Sequence, residues 1–385
     1  MDAASAPIYN LPEDALLQIF SSLPLRQIIV CRSVSKFFYH LLTSPSFVHH
    51  LLIPSASLPL RLIALRPPHH HHHYRHTSRH SSLPQQSSSV LHAFDPCEDR
   101  WLGFSLGFLP FRSLHPVAAS SLGLVYLWGD SVDSPESSRS LVACNPLTRQ
   151  FKVLPHLGSA WSRHGSVLVD SENRVMVLTE LAALYYTGSN RWLKFSSNLP
   201  SKPRSPVLVS DSAYALCDIG SPWRSQWKLF SCSLKTSHSS SSTHHWVRLE
   251  RHEWGDVFDI LKRPRLVKGG AEDQILMVGG LKSSFSLNAS CSTILILRLD
   301  LGTLEWDEAG RMPVEMFRCF SEESSKFKVF GGGNRVCFSG KRVGRLALWD
   351  YCDGKSEWRW IDEVPAFGDG FCRGFVFGAA LTALS

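Results

Sequence analysis

Between Leu11 and Leu42 apolar residues recur at helical spacing, and from about residue 57 that spacing gives way to short β-rich runs punctuated by Gly, Pro, Asn and Asp. Asn10-Leu11-Pro12-Glu13 reads as a helix start: Asn10 offers a cap, Glu13 completes a capping-box spacing, and Pro12 occupies the first turn, where no intrahelical donor is lost. The first helix is expected to run to about Ser22. Placed at 100° per residue, Leu11, Ala15, Leu16, Ile19, Phe20 and Leu23 sweep about half of its surface, with Leu17 outside the arc. A second short helix is expected over Leu25 to Cys31. In a third, Val34, Phe37, Phe38, Leu41 and Leu42 recur at i, i+3, i+4, i+7 and i+8 until Ser44-Pro45 stops it. Three short helices make a small core with surplus apolar side chains, which implies a covering surface. Periodicity leaves open whether that surface is a partner or the rest of the same chain.

The remainder carries a repeat. An Asp, Asn or Thr ends an apolar strand, an aromatic follows about six residues later, and an apolar-Pro step lies beyond it. Asp95, Trp101 and Pro110 form one copy, and Asn145, Phe151 and Pro155 the next. Thr187, Trp192 and Pro200 follow, then Asp300, Trp306 and Pro313, and then Asp350 with Trp358, Trp360 and Pro365. A weaker copy ends at Trp246, its turn swollen by Ser237–His245. The pattern predicts a hairpin whose turn is set by the Asp or Asn side chain and whose outgoing strand places an aromatic between neighbouring sheets. One such sheet cannot bury both faces, so the copies must pack around a common axis. Successive aromatics stand 41 to 60 residues apart, the length of four strands with loops. This predicts a propeller of six blades, with seven as the alternative because the Trp246 copy is weak. The strand Gly374–Leu381 is expected to return and complete the first blade.

The wording of the helical segment discriminates further. Leu11-Pro12-Glu13-Asp14, Leu16-Leu17, Ile19-Phe20 and Leu23-Pro24, followed by Arg32-Ser33-Val34-Ser35-Lys36-Phe37-Phe38 and Ser44-Pro45-Ser46-Phe47, resembles the F-box. Ser35 stands where many members have Cys, and Phe37 where many have Trp. The resemblance implies that this segment grips a Skp-type adaptor carried on a cullin, with adaptor-binding roles for Leu11, Pro12, Glu13, Leu16, Leu17, Phe20, Val34 and Lys36. Ile275 to Gly280, with the Gly279-Gly280 pair, Trp306 and Met312-Pro313, looks like a kelch repeat, and Gly331-Gly332 echoes it. Together these resemble plant F-box/kelch proteins, especially the branch that includes Unusual Floral Organs. The shared wording is Phe94-Asp95-Pro96 with Trp101, Ser120 to Val125, and Cys144-Asn145-Pro146-Leu147 with Leu154-Pro155; Leu122 departs from an expected Gly. The expected architecture is α+β multidomain: a three-helix, all-α F-box over residues 1–56 and an all-β kelch-like propeller over 57–385. The resemblance implies a non-catalytic substrate receptor of a Skp-cullin-F-box ubiquitin ligase, holding an unidentified target on the propeller. The rival readings are an F-box scaffold or transcriptional co-regulator without substrate turnover, and a propeller enzyme.

Composition narrows this little. The 385 residues are 44% hydrophobic, enough for a sizeable core. No basic start leads into an apolar run, and no stretch approaches the roughly 20 apolar residues of a membrane span, so a cytoplasmic or nuclear protein is expected. The formal charge of +7 would suit an acidic partner. Its only cluster, Lys262-Arg263-Pro264-Arg265 with Lys268, reads as a solvated loop in preference to a nucleic-acid patch or an import signal. The ten cysteines show no C-x-x-C spacing, and reduced, mostly buried thiols are expected. His69 to His73, with His76 and His80, read as part of a loop insertion over 67–89 and not as a metal site. Gly331-Gly332-Gly333-Asn334 reads as a hairpin turn, lacking the Lys-Ser/Thr of a phosphate loop. No H-E-x-x-H, G-x-S-x-G or ordered Ser/His/Asp set is present, so no catalytic residue, cofactor or metal is expected.

Overall fold

The computed structural model describes residues 7–52, 60–67, 90–120, 122–131, 139–170, 172–188, 191–235, 244–284, 290–321, 326–352, 354–365 and 370–381. The histidine run and most of its insertion lie outside these residues.

The N-terminal module has four helices: α1 (Glu13–Ser21), α2 (Leu25–Cys31), α3 (Lys36–Thr43) and α4 (Pro45–Leu52). Pro45 stops α3 as expected but also opens α4, because its fixed φ suits a first helical position and its missing N–H costs nothing there. Asn10 does not cap α1; it ends a separate short turn, Pro7–Asn10, and Pro12 precedes the helix with no side-chain cap. Glu13 and Asp14 instead sit in the first turn, where the helix dipole favours negative charge. At α3 the cap is Ser35, whose hydroxyl accepts from the Phe38 N–H at 3.2 Å. The Ser found where a Cys was expected is thus a better helix start. The module's core is Leu16, Leu17, Phe20, Ile28, Phe38, Leu41, Leu42 and Phe47. This rotates the expected face of α1, burying Leu17 and leaving Ile19 43% exposed, because α4 contributes a packing surface that a three-helix reading lacks.

Beyond it, the 24 strands among the described residues form six four-stranded antiparallel sheets. Blade 2 is Ser113–Ala119, Val125–Asp130, Arg139–Asn145 and Gln150–Val153, running in order from the axis outward. Blades 3 to 6 repeat this from inner strands Ser166–Val169, Arg204–Val209, Leu261–Lys268 and Phe327–Gly332. Blade 1 takes its inner strand from the other end of the chain: Gly374–Ala379 pairs antiparallel with Leu60–Leu65, from Leu60 against Ala379 to Leu65 against Gly374. The six inner strands contact one another in a closed ring. The weak Trp246 copy is the outer strand of blade 4, so the count is six. Separate apolar clusters fill the seams between successive blades, as when Ile63, Phe94 and Trp101 of blade 1 meet Cys337 and Leu348 of blade 6.

The turn chemistry holds at three copies. Asp95 accepts from the Cys97 N–H at 3.0 Å, Asn145 from Leu147 at 2.9 Å, and Asp300 from Gly302 at 2.8 Å. Each turn then closes on a residue with positive φ four positions on: Asp99, Arg149 and Leu304. Asp350 differs, because its carboxylate is engaged by Arg335 at 2.9 Å. Trp101 and Trp192 bridge sheets as expected, donating to the carbonyls of Asp362 and Pro155 in preceding blades. Phe151 does not, and remains 39% exposed.

The short motifs of blade 2 serve closure. Asn145 donates its amide to the Ala380 carbonyl at 2.9 Å, and the Ser120 carbonyl accepts from Gly378. Gly123 has φ +90°, and a Cβ there would stand 2.5 Å from the Ala380 oxygen. The glycine this turn requires is therefore at 123, and Leu122 is no defect. Lys262 to Lys268 is not a loop but the inner strand of blade 5, with Arg265 and Lys268 half-buried beside the axis. Gly331 to Asn334 does form a hairpin turn, between Phe327–Gly332 and Arg335–Gly340.

Candidate functional site

Alternation of strand direction gives the propeller two distinct faces. On one, the inner strands end and the Asp95 and Asn145 turns project. On the other, the inner strands begin.

The helical module sits on the first face, at blades 1 and 2. Leu25 is buried in the apolar cluster of those blades, and Ile29 packs against it. Arg26 lies between them and donates two hydrogen bonds to the fully buried Asp95 carboxylate, at 2.6 and 3.2 Å, with Glu98 3.5 Å away. Arg149, from the blade 2 turn, stacks its guanidinium over the Tyr39 ring at 4.4 Å. The module therefore uses one side, chiefly α2, against its own propeller. Arg26→Ala should cost about 2 kcal/mol in thermal unfolding, because it strands a buried carboxylate while losing a partly solvated cation. Asp95→Asn in the same chain should recover most of that, since Asn still accepts from the Cys97 N–H.

The eight residues implicated by the motif divide in two. Leu11, Pro12, Glu13, Val34 and Lys36 are exposed, and Leu11 and Val34 are 40% and 63% accessible. Leu16, Leu17 and Phe20 are at most 7% exposed, as members of the module's own core. In this chain they pack against Ile28, Phe38, Leu41, Leu42 and Phe47, beneath the exposed set. Ile19 and Phe37, each 43% exposed, join that set, although the motif reading did not select them. Helical spacing marks both as apolar positions, but it does not show which arc a fourth helix covers and which stays exposed.

Among the described residues no group of three or more His, Cys, Asp or Glu could hold a metal ion, and no helix is long and apolar enough to cross a membrane. The cysteines are free thiols; only Cys97 and Cys352 are exposed, and burial pushes the Cys144 thiol up to about 12. The axial channel encloses about 570 Å³ between the inner strands.

The F-box domain family matches residues 8–50. The Arabidopsis thaliana protein SKP1-interacting partner 15 is 65% identical over 385 residues, spanning 99% of both chains. An F-box/kelch-repeat protein of the same plant is 25% identical over 406 residues, covering 98% of this chain and 87% of its own. Among solved structures, a chain of a nidogen/laminin complex aligns over 84% of this chain and 100% of its own, at 9% identity with a TM-score of 0.47. The narrower likeness to the Unusual Floral Organs branch stays a resemblance of short motifs. With an F-box at its N-terminus, a six-bladed propeller behind it and near-identical length and two-thirds identity to one relative, this chain belongs to the plant F-box protein family that includes SKP1-interacting partner 15.

Proposed function

We propose that the protein is the substrate receptor of a Skp-cullin-F-box ubiquitin ligase, with residues 1–56 binding the adaptor and residues 57–385 holding the target. The observation that carries this reading is the divided helical module. Its α2 side is spent on the propeller, while Leu11, Ile19, Val34 and Phe37 remain partly or largely exposed. A small domain keeps large apolar side chains in water at such density where another protein covers them. The relative whose printed name records interaction with SKP1 is similar along its whole length, which supports an adaptor of that type.

The adaptor surface assigned on this basis is Leu11, Pro12, Glu13, Ile19, Val34, Lys36 and Phe37, with Leu16, Leu17 and Phe20 acting beneath it. The chain performs no bond chemistry of its own. By tethering a target near the ubiquitin-charged enzyme it raises the effective concentration of target lysines. The Arg26–Asp95 pair and the Leu25 contact fix the distance and orientation across which that transfer occurs. Such a receptor works in the cytoplasm or nucleus, where the ligase core resides. Purified full-length chain should form a stoichiometric complex with a Skp-type adaptor and cullin, and trapped partners should accumulate in cells when the adaptor surface is disabled. Stable complexes without any change in partner abundance would favour a scaffold, and turnover of a small molecule by the chain alone would favour an enzyme.

A further inference from the structure

The propeller face opposite the helical module carries a cationic mouth. There the inner strands begin, and Arg204 of blade 4, Lys262, Arg263 and Arg265 of blade 5, and Lys328 of blade 6 line a pocket of about 160 Å³ with Phe327 and Phe371. Arg373, at the start of the closing strand of blade 1, extends it, and its carbonyl accepts from the Arg66 N–H at 2.8 Å. Like charges have gathered here against their own repulsion. Burial first, and then the charges of Arg204, Arg373 and Arg263, lower the Arg265 pKa from its ordinary value to about 10. Lys328 is lowered in the same way, by burial and then by Arg265, Arg373, Arg204 and Arg263. Among the described residues no carboxylate lies at ion-pair distance from Arg263, Arg265, Lys328 or Arg373.

The other face shows that the fold can balance its charges. There Arg174 bridges Asp170 and Asp211, Arg335 meets Asp350, and Arg26 meets Asp95. Half-buried cations repelling one another weaken a fold, so their persistence at one mouth points to an anion that completes them.

The same face holds the two most accessible large apolar side chains among the described residues, Trp223 at 88% and Leu181 at 76%. They occupy the turns between the second and third strands of blades 4 and 3, which open on the side where inner strands begin. An exposed tryptophan and leucine on the face that carries a cationic pocket suit a chain with both acidic and apolar side chains better than a small inorganic anion.

We propose that this mouth is the target-docking site and that its occupant is an acidic segment of the target protein, bearing clustered phosphorylated or carboxylate side chains with an apolar residue alongside. Arg204, Arg263, Arg265, Lys328 and Arg373 take the anionic groups, and Trp223 the apolar one. This rests on the receptor reading and supplies the chemistry of its substrate. It also sets the target on the far side of the propeller from the adaptor surface, with the channel between them.

The test uses the full-length chain and three degenerate peptide libraries with the same flanks, whose fixed central pair is phosphoserine-phosphoserine, Glu-Glu or Ser-Ser. At least one acidic library should be retained roughly tenfold over the Ser-Ser library, with the excess falling steeply as salt rises. Whichever acidic arm binds tighter identifies phosphate or carboxylate as the natural group. Arg265→Gln with Lys328→Gln should remove the excess while holding or raising the melting temperature, because it relieves repulsion. Equal retention of the Ser-Ser library, an excess that survives the double substitution, or tighter binding of inositol hexakisphosphate than of either acidic library would each overturn the assignment. Adaptor co-purification is measured on the same variants. If it is absent from the unsubstituted chain the receptor reading fails; if it is present while the acidic libraries go unbound, only the docking site fails.

Discussion

In the double variant Leu11→Asp, Val34→Asp, a Skp-type adaptor should no longer co-purify, its affinity falling by at least about 100-fold, while the melting temperature moves by no more than about 2 °C. Both side chains are exposed in the free chain, so a carboxylate there costs folding little. In the complex it would be forced into an apolar contact without a partner. Leu16→Asp provides the contrast. That side chain is 1% exposed in the core with Phe20, Phe38 and Leu42, and a charge there should cost more than about 4 kcal/mol. Adaptor binding would again be lost, but together with the helical circular-dichroism signal of the module. The two variants separate a surface from the scaffold beneath it. Undiminished adaptor binding by Leu11→Asp, Val34→Asp would move the interface off this surface and remove the main support for the ligase reading.

Removal of residues 374–385 should abolish cooperative unfolding of the propeller, leaving an aggregation-prone chain. The deletion takes the inner strand of blade 1, exposes the edge of Leu60–Leu65, and opens the seam between blades 1 and 2. Phe377→Ala is the graded form of the experiment. Phe377 is fully buried, edge-on to Phe104 with ring centroids 5.5 Å apart, and its truncation should cost about 3–5 kcal/mol by chemical denaturation. Because Asn145 and Ser120 hold the far end of the same strand, Asn145→Ala should add to the loss less than additively. A midpoint unchanged by Phe377→Ala would mean that the ring does not depend on this closure.

These elements differ in how far they could be read from the chain. The α2 boundaries, Leu25 to Cys31, follow from spacing and the flanking Pro24, and the structure reproduces them. The Asp95, Asn145 and Asp300 turns were equally legible, since an Asx side chain reaches backbone N–H groups two or three residues on. Asp350 shares their sequence position but not their role, because Arg335 on the neighbouring strand takes its carboxylate. The basic run at Lys262 reads as a loop in the sequence because a strand beside the axial channel has no need of continuous apolar residues.

What the sequence determined by itself is what acts over a few residues. It set the helices and their stops, the hairpin turns, the spacing that requires four strands per blade, and the F-box wording. Tertiary structure alone decided which side of the helical module is left for a partner, because that depended on α4 and on where Leu25 and Arg26 dock. It also decided the cationic mouth, for Arg204, Arg265, Lys328 and Arg373 come from four blades and meet only when the last strand closes the ring. Charge repulsion and burial act through space, and spacing along a chain carries no record of either until the ends are joined.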